Sequence, residues 1–264
     1  MLSVKQNQKG RFGNKFIRNM IIYLVNQKVN IIPIYEIDNE DQIDSFNKLG
    51  LKFKNNKIDD SLKKEKITSK KIIQILNNEI KINLDKNYTL DGFYQNHEII
   101  KIIYEYLNNL NNNISLDIIS CNPYKYRYNN NNDIFIHLRA GDIFNYNSKN
   151  IRPNLNYFES IINYIKDYKN IYIASDNFNN SMCDFLIKKY NIIKYEKDKI
   201  NTIQFGSTCK YVILSSGSFS LVISLLSFYS KNIFFSEDIG LMNNNKQWHP
   251  NFFESLKYNS LHFE

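Results

Sequence analysis

The chain reads as an α/β protein whose second half builds a parallel, doubly wound sheet, and two features of the sequence predict this. First, short apolar runs at Ile134–His137, Ile171–Ala174, Ile192–Tyr195, Tyr211–Leu214 and Ile233–Phe235 alternate with helical stretches. The helical stretches are Leu155–Lys166, Asn180–Lys189, Thr202–Lys210 and Ser218–Ser227. Strands that alternate with helices are joined by right-handed crossovers, and such crossovers make the sheet parallel. Second, polar clusters, two of them containing a glycine, follow three of the runs directly: HLRAGD, ASDN and SSGSFS. Parallel sheets bind ligands outside the carboxyl ends of their strands, which is where these clusters fall.

The first half is less regular. After a loop at Lys9–Asn14, apolar residues at Phe16, Ile17, Met20, Ile21, Leu24 and Val25 mark one face of an amphipathic helix. Val29–Tyr35 reads as a strand, and Ser69–Ile80 and His97–Leu107 read as helices. Between them, Lys48–Lys66 is polar and Lys-rich, an exposed connection. NPYKYRYNNNN at 122–132 has no apolar periodicity and is expected to be a linker. Domains at 1–121 and 133–264 follow.

At 264 residues the chain can bury a core, as one large domain or two small ones. Its 43% hydrophobic and 23% charged content excludes a disordered chain. The net charge of +8 suits an anionic ligand such as a nucleotide sugar or a nucleic acid. Runs such as NNLNNN and NNNN show that an AT-rich genome also accounts for the lysines. No helix carries a Lys/Arg stripe interleaved with aromatics, so nucleic acid is not an expected partner. Cys121, Cys183 and Cys209 are odd in number, with no CxxC pair. Neither they nor His97, His137, His249 and His262 have metal-ligand spacing, so no bound metal is expected. The N-terminus has no apolar signal core. Leu221–Phe235 is interrupted by Ser224, Ser227, Ser230 and Lys231, too polar to span a bilayer. A soluble cytoplasmic protein without a transmembrane segment is expected.

Four clusters carry candidate chemistry. In HLRAGD, Arg139 stands just past a strand, where a guanidinium fork can bind a diphosphate, and Asp142 can fix it by a salt bridge. Gly141 allows a tight turn, and His137 can donate to a ribose or base oxygen. In SSGSFS, Gly217 and its flanking hydroxyls open a helix, whose free first-turn N–H groups and dipole favour an anion. Asp176 of ASDN can accept from a ribose or purine. GRFGNKF places Gly13, which permits close backbone approach, and Asn14 at the positive end of the first helix. A dinucleotide GxGxxG fingerprint is absent.

Together these clusters resemble the superfamily of α-1,2-fucosyltransferases, α-1,6-fucosyltransferases and protein O-fucosyltransferases. GRFGNK, HLRAGD and GSFS stand in the order of that group's glycine-Asn loop, HxRxGD loop and Ser/Thr-Phe-Ser loop, and DGFYQN at Asp91–Asn96 is similar to its GYFQ segment. The resemblance covers about Asp133 to Phe235 well and leaves Glu36–Lys86 unplaced. It implies a GT-B-like architecture of two Rossmann-like domains facing across a cleft, without a bound metal. It implies inversion at the anomeric carbon, with GDP-fucose the usual donor and a glycan or protein hydroxyl the acceptor. Arg139 would be the main pyrophosphate ligand, and Arg139 with Asp142 the catalytic pair. His137 and Asp176 would contact the nucleoside. Ser218, Phe219 and Ser220 would form the phosphate-side loop, with Gly13 and Asn14 facing the diphosphate. Ala140 departs from the pattern, since many members carry a second Arg there. That departure leaves room for a UDP- or dTDP-deoxysugar donor, or for an inactive nucleotide- or sugar-binding relative.

No DxD stands at a strand end, because Asp59–Asp60 lies in a Lys-rich stretch. Arg139 and the helix starting at Ser218 would therefore stabilise the leaving diphosphate. For the acceptor base, Asp91, Glu36, Asp38 and Glu98 all remain open. Donor binding is expected after Asn132 and acceptor choice before it.

Overall fold

The computed structural model describes residues 2–4, 11–37, 39–54, 63–83, 86–90, 92, 97–142 and 153–235. Two compact units divide between Ile119 and Ser120.

In the first unit, strand β1 (Leu2–Val4) leads to helix α1 (Phe12–Val29). The chain continues through α2 (Glu40–Lys48), β2 (Lys64–Ile67), α3 (Ser69–Leu76), β3 (Asn87–Leu90), α4 (His97–Asn108) and α5 (Asn113–Cys121). The three strands form a parallel sheet in the order β1-β3-β2. Helix α1 buries Phe16, Ile17, Met20, Ile21, Leu24 and Val25, as its spacing requires, but Lys15, Arg18, Asn19 and Ile22 are buried too, so the helix is covered on more than the one face expected. It ends on Asn30, in the left-handed region at φ 51°, a conformation Asn tolerates.

The strand expected at Val29–Tyr35 is not formed. Val29 completes α1, and the extended segment after it makes one isolated bridge, Leu2 to Pro33. Leu2 donates its N–H to Ile32 and accepts from Ile34, while Pro33 has no N–H to extend a ladder. Strands β1, β2 and β3 and the short helices α2 and α5 were not expected from the sequence. Helix α2 is announced by Asn39, whose side chain accepts from the Gln42 N–H. Strand β2 takes up the end of the stretch expected as a connection.

The second unit matches the predicted alternation closely: β4 (Ile134–Leu138), α6 (Leu155–Tyr164), β5 (Ile171–Ser175), α7 (Ser181–Tyr190), β6 (Ile193–Lys194), α8 (Lys199–Gly206), β7 (Tyr211–Leu214), α9 (Ser218–Leu225) and β8 (Asn232–Phe235). All pairings are parallel, in the order β6-β5-β4-β7-β8. The unit is thus α/β and Rossmann-like: the winding reverses between β4 and β7, and ligands of such sheets bind outside the carboxyl ends of the strands at that point. Both central strands are buried at every residue, as strands covered on two faces must be. Helix α8 begins three residues earlier than expected because Asp198 caps it, accepting from Ile200 and Asn201.

Residues 122–132, expected as a linker, are instead fastened to the second unit. Asn122 is buried and donates to the Gln204 carbonyl at 3.0 Å. Arg127 lies 4.4 Å from the Phe205 ring centroid, pairs with Asp133 at 2.7 Å and donates to Thr208. Asn131 donates to the Thr208 carbonyl and accepts from the Lys210 N–H. Polar side chains here satisfy backbone groups, a role that hydrophobic periodicity does not register. Among the described residues, no helix is long and apolar enough to cross a membrane.

Candidate functional site

The carboxyl ends of β4, β5 and β7 carry three of the four predicted clusters. The ladder between β4 and β7 continues past their ends: Ser215 donates its N–H to the His137 carbonyl at 2.9 Å. The Ser215 hydroxyl, fully buried, then accepts the Arg139 N–H at 2.8 Å. This stitch fixes where the Arg139 side chain leaves the backbone.

The guanidinium is held in turn by Asp142. Nε and Nη2 of Arg139 donate to the two carboxylate oxygens at 3.0 and 2.9 Å. Nη1 makes no hydrogen bond among the described residues, and it lies against Gly217. A Cβ built on Gly217 would stand 3.0 Å from Nη1, and the backbone there has φ +113°. Glycine is required at this position for both reasons.

Gly217 also caps α9, and no side chain caps it instead. Helices α2, α3, α6, α7 and α8 are each capped by an Asn, Thr or Asp. Helix α1 resembles α9 in having no side-chain cap. The first-turn amides of Ser218, Phe219 and Ser220 therefore have neither an intrahelical acceptor nor a capping oxygen among the described residues. Beside them the Ser216 hydroxyl is buried and has no hydrogen-bond partner among the described residues.

Asp176, at the end of β5, braces the same loop from the other side. Its Oδ1 accepts the N–H groups of Ala140 and Gly141 at 2.7 and 2.8 Å. A Cβ on Gly141 would come within 2.8 Å of Oδ2. Asp176 is exposed and Oδ2 makes no hydrogen bond among the described residues, so it can still accept from a hydroxyl. The charge of Arg139 is balanced by Asp142. Attraction for an anion must therefore come from directed N–H groups rather than from net charge.

His137 is turned inward. Its Nδ1 lies 2.6 Å from the Ser220 hydroxyl, and its ring centroid is 5.0 Å from that of Phe219. Burial pushes its pKa down to about 4, against an upward pull from Asp176 and with a smaller push from Arg139. The imidazole is neutral at pH 7, so it adds no charge to the site. The Ser220 hydroxyl is engaged with it, leaving the Ser220 amide to the helix end. Ala140, where a second Arg was the alternative, is 1% exposed and sits in the hydrophobic core of the unit. An Arg at this position would have to displace the apolar side chains packed around it.

The fourth cluster belongs to the first unit. The helix starts at Phe12, so Gly13 and Asn14 lie in its first turn rather than in a loop, and Gly13 is buried. Among the four open base candidates, Glu36 is committed elsewhere. Both Glu36 oxygens accept from the fully buried Arg18 at 2.6 Å, and its backbone exchanges hydrogen bonds with the Asn19 amide. Glu98 is exposed on α4, while Asp38 and Asp91 lie outside the described residues, as do Asp59–Asp60, His249, His262 and most of DGFYQN. Among the described residues, no group of His, Cys, Asp and Glu side chains is placed to hold a metal. Within SSGSFS, expected as an anion site, the structure adds two specific roles: the Ser215 hydroxyl holds the Arg139 backbone, and Gly217 leaves room for the guanidinium.

No protein-family model matches the chain, and no curated protein matches it. Among solved structures it is similar to the crystal structure of POFUT1 in complex with GDP-fucose, at a TM-score of 0.35 and 12% identity. The similarity covers 57% of this chain and 54% of that one, so the chain spans about half the length of the protein it matches.

Proposed function

We propose that this chain is a glycosyltransferase that takes a sugar from a nucleotide diphosphate, with GDP-fucose as the favoured donor. One observation carries the reading. Arg139 is held by Asp142 so that Nη1 stands over Gly217, beside the uncapped start of α9, at the reversal point of the sheet. A diphosphate laid along Gly217 would meet Nη1 and the amides of residues 218–220 together. As the anomeric carbon–oxygen bond breaks, negative charge builds on the leaving diphosphate, and these donors stabilise it without moving. An acceptor hydroxyl attacking from the opposite side inverts the anomeric centre. Asp176 Oδ2 would accept from the hydroxyl-bearing nucleoside, away from the phosphates, where its charge does no harm.

GDP and fucose as donor components, the GT-B arrangement and the division of labour between the units rest on the resemblance of GRFGNK, HLRAGD and GSFS to the fucosyltransferase superfamily. The donor belongs to the second unit on this reading, and acceptor choice to the first. Calorimetric titration of GDP, UDP and dTDP into the protein, followed by transfer assays with the matching nucleotide sugars, tests it. Tight binding of one diphosphate that is sharply weakened in Arg139→Ala supports the assignment. Absence of binding by all three removes it.

A further inference from the structure

The opposite edge of the same sheet carries a lysine-lined pocket. In a parallel sheet every residue that precedes a strand lies on one edge, and here three such residues are lysines. Lys210 and Lys231 immediately precede β7 and β8, and Lys169 stands two residues before β5. Backbone hydrogen bonds tie them to one another and to the 129–132 turn: Lys231 N–H to the Lys210 carbonyl at 2.8 Å, and Lys169 N–H to the Asn132 carbonyl at 2.9 Å. The three line a pocket of about 480 Å³ together with Asn129, Asn130 and Tyr229.

The charges in this pocket do not balance. The Lys210 ammonium donates to Asn132 at 2.6 Å and lies 3.7 Å from Asp167, a carboxylate that is itself 76% exposed. The ammonium groups of Lys169 and Lys231 have no hydrogen-bond or ion-pair partner among the described residues, nor do the side-chain amides of Asn129 and Asn130. Tyr229 forms an aromatic wall, its ring 5.0 Å from that of Tyr128. Three ammonium groups against one carboxylate call for a compact dianion. Free amides and an aromatic face beside them suit the hydroxyls and the ring of a sugar.

We infer that this pocket, formed by Lys169, Lys210 and Lys231 at the amino ends of the strands, binds a phosphomonoester dianion, of which a sugar phosphate fits the surrounding groups best. The site lies at the other end of the strands from Arg139 and does not depend on the donor reading. A ligand here would regulate or anchor the protein rather than react.

Calorimetry or chemical-shift titration at low salt with a hexose phosphate, inorganic phosphate and the uncharged hexose tests it. Hexose phosphate is expected to bind, to weaken as salt shortens the Debye length to about 8 Å, and to lose at least about tenfold in affinity in Lys169→Glu/Lys231→Glu. Both lysines are exposed, so circular dichroism of the double variant should be unchanged. Lys231→Gln, a neutral change, gives a smaller loss in the same direction, and Arg139→Ala leaves hexose phosphate binding intact. Tighter binding of hexose phosphate than of inorganic phosphate identifies the sugar phosphate as the ligand, whereas equal binding identifies free phosphate. The inference is overturned if neither binds, or if binding is indifferent to the double charge reversal.

Discussion

Acidification should weaken this protein through His137, by an amount that can be worked out from its burial. The group is 8% exposed, and burial pushes its pKa from 6.5 to about 4. Between those values the unfolded chain binds a proton that the folded chain refuses, so stability is full above pH 6.5 and is lost as pH falls towards 4. At pH 5 the imbalance costs about 2 kcal/mol, and below pH 4 it levels off near 3 kcal/mol. About 2 kcal/mol corresponds to a fall in Tm of roughly 4–8 °C for a unit of this size. Carboxylates titrate in the same range, so the assay is a difference of differences. Thermal unfolding is followed at pH 7 and pH 5 for the wild type and for His137→Gln, whose amide can still reach the Ser220 hydroxyl. The variant should lose less on acidification than the wild type by about the amount above. Equal acid losses in the two proteins would refute the reasoning, because the missing proton would then belong to another group.

Three further outcomes are expected. Arg139→Ala should sharply weaken nucleotide-diphosphate binding, at a cost of about 1.5–3 kcal/mol for the single charge-assisted hydrogen bond from Nη1, while circular dichroism shows an intact fold. Gly217→Ala forces a side chain into φ +113° and brings a Cβ within 3.0 Å of Arg139 Nη1. It should cost about 1–3 kcal/mol in urea unfolding and a larger fraction of GDP affinity in calorimetry, since the guanidinium must move. Transfer activity, measured by release of GDP from the donor, should persist in EDTA, because the Arg139 guanidinium and backbone N–H donors rather than a metal ion meet the leaving charge. Silencing by chelator with rescue by Mn²⁺ would contradict that mechanism.

Much of the second unit was legible in the sequence because its signals are local. Apolar runs such as Tyr211–Leu214 are strands buried on both faces, and SSGSFS at a strand end is a helix start whatever surrounds it. The first unit was read less well. Pro33 sits in an apolar run that looks like a strand, yet it cannot donate to a ladder, and only the bridge to Leu2 shows how little pairing is left. Strands β2 and β3 are only four residues each, and the Lys, Glu and Asn they contain are depleted in strands, so no sheet pattern stands out.

The sequence by itself determined which groups stand at the carboxyl ends of the strands, because chain order and parallel topology together place Arg139, Asp176 and Ser215–Ser220 on one edge. Only the tertiary structure decided what each group is free to do. Hydrogen bonds between residues distant in sequence assign His137 to Ser220, spend one oxygen of Asp176 on the Ala140 and Gly141 amides, and tie Glu36 to Arg18. The same long-range packing turns Ala140 into the core and leaves Nη1 of Arg139 over Gly217. Residue type and spacing specify a group's chemistry, but its remaining hydrogen-bonding capacity depends on partners that are distant along the chain.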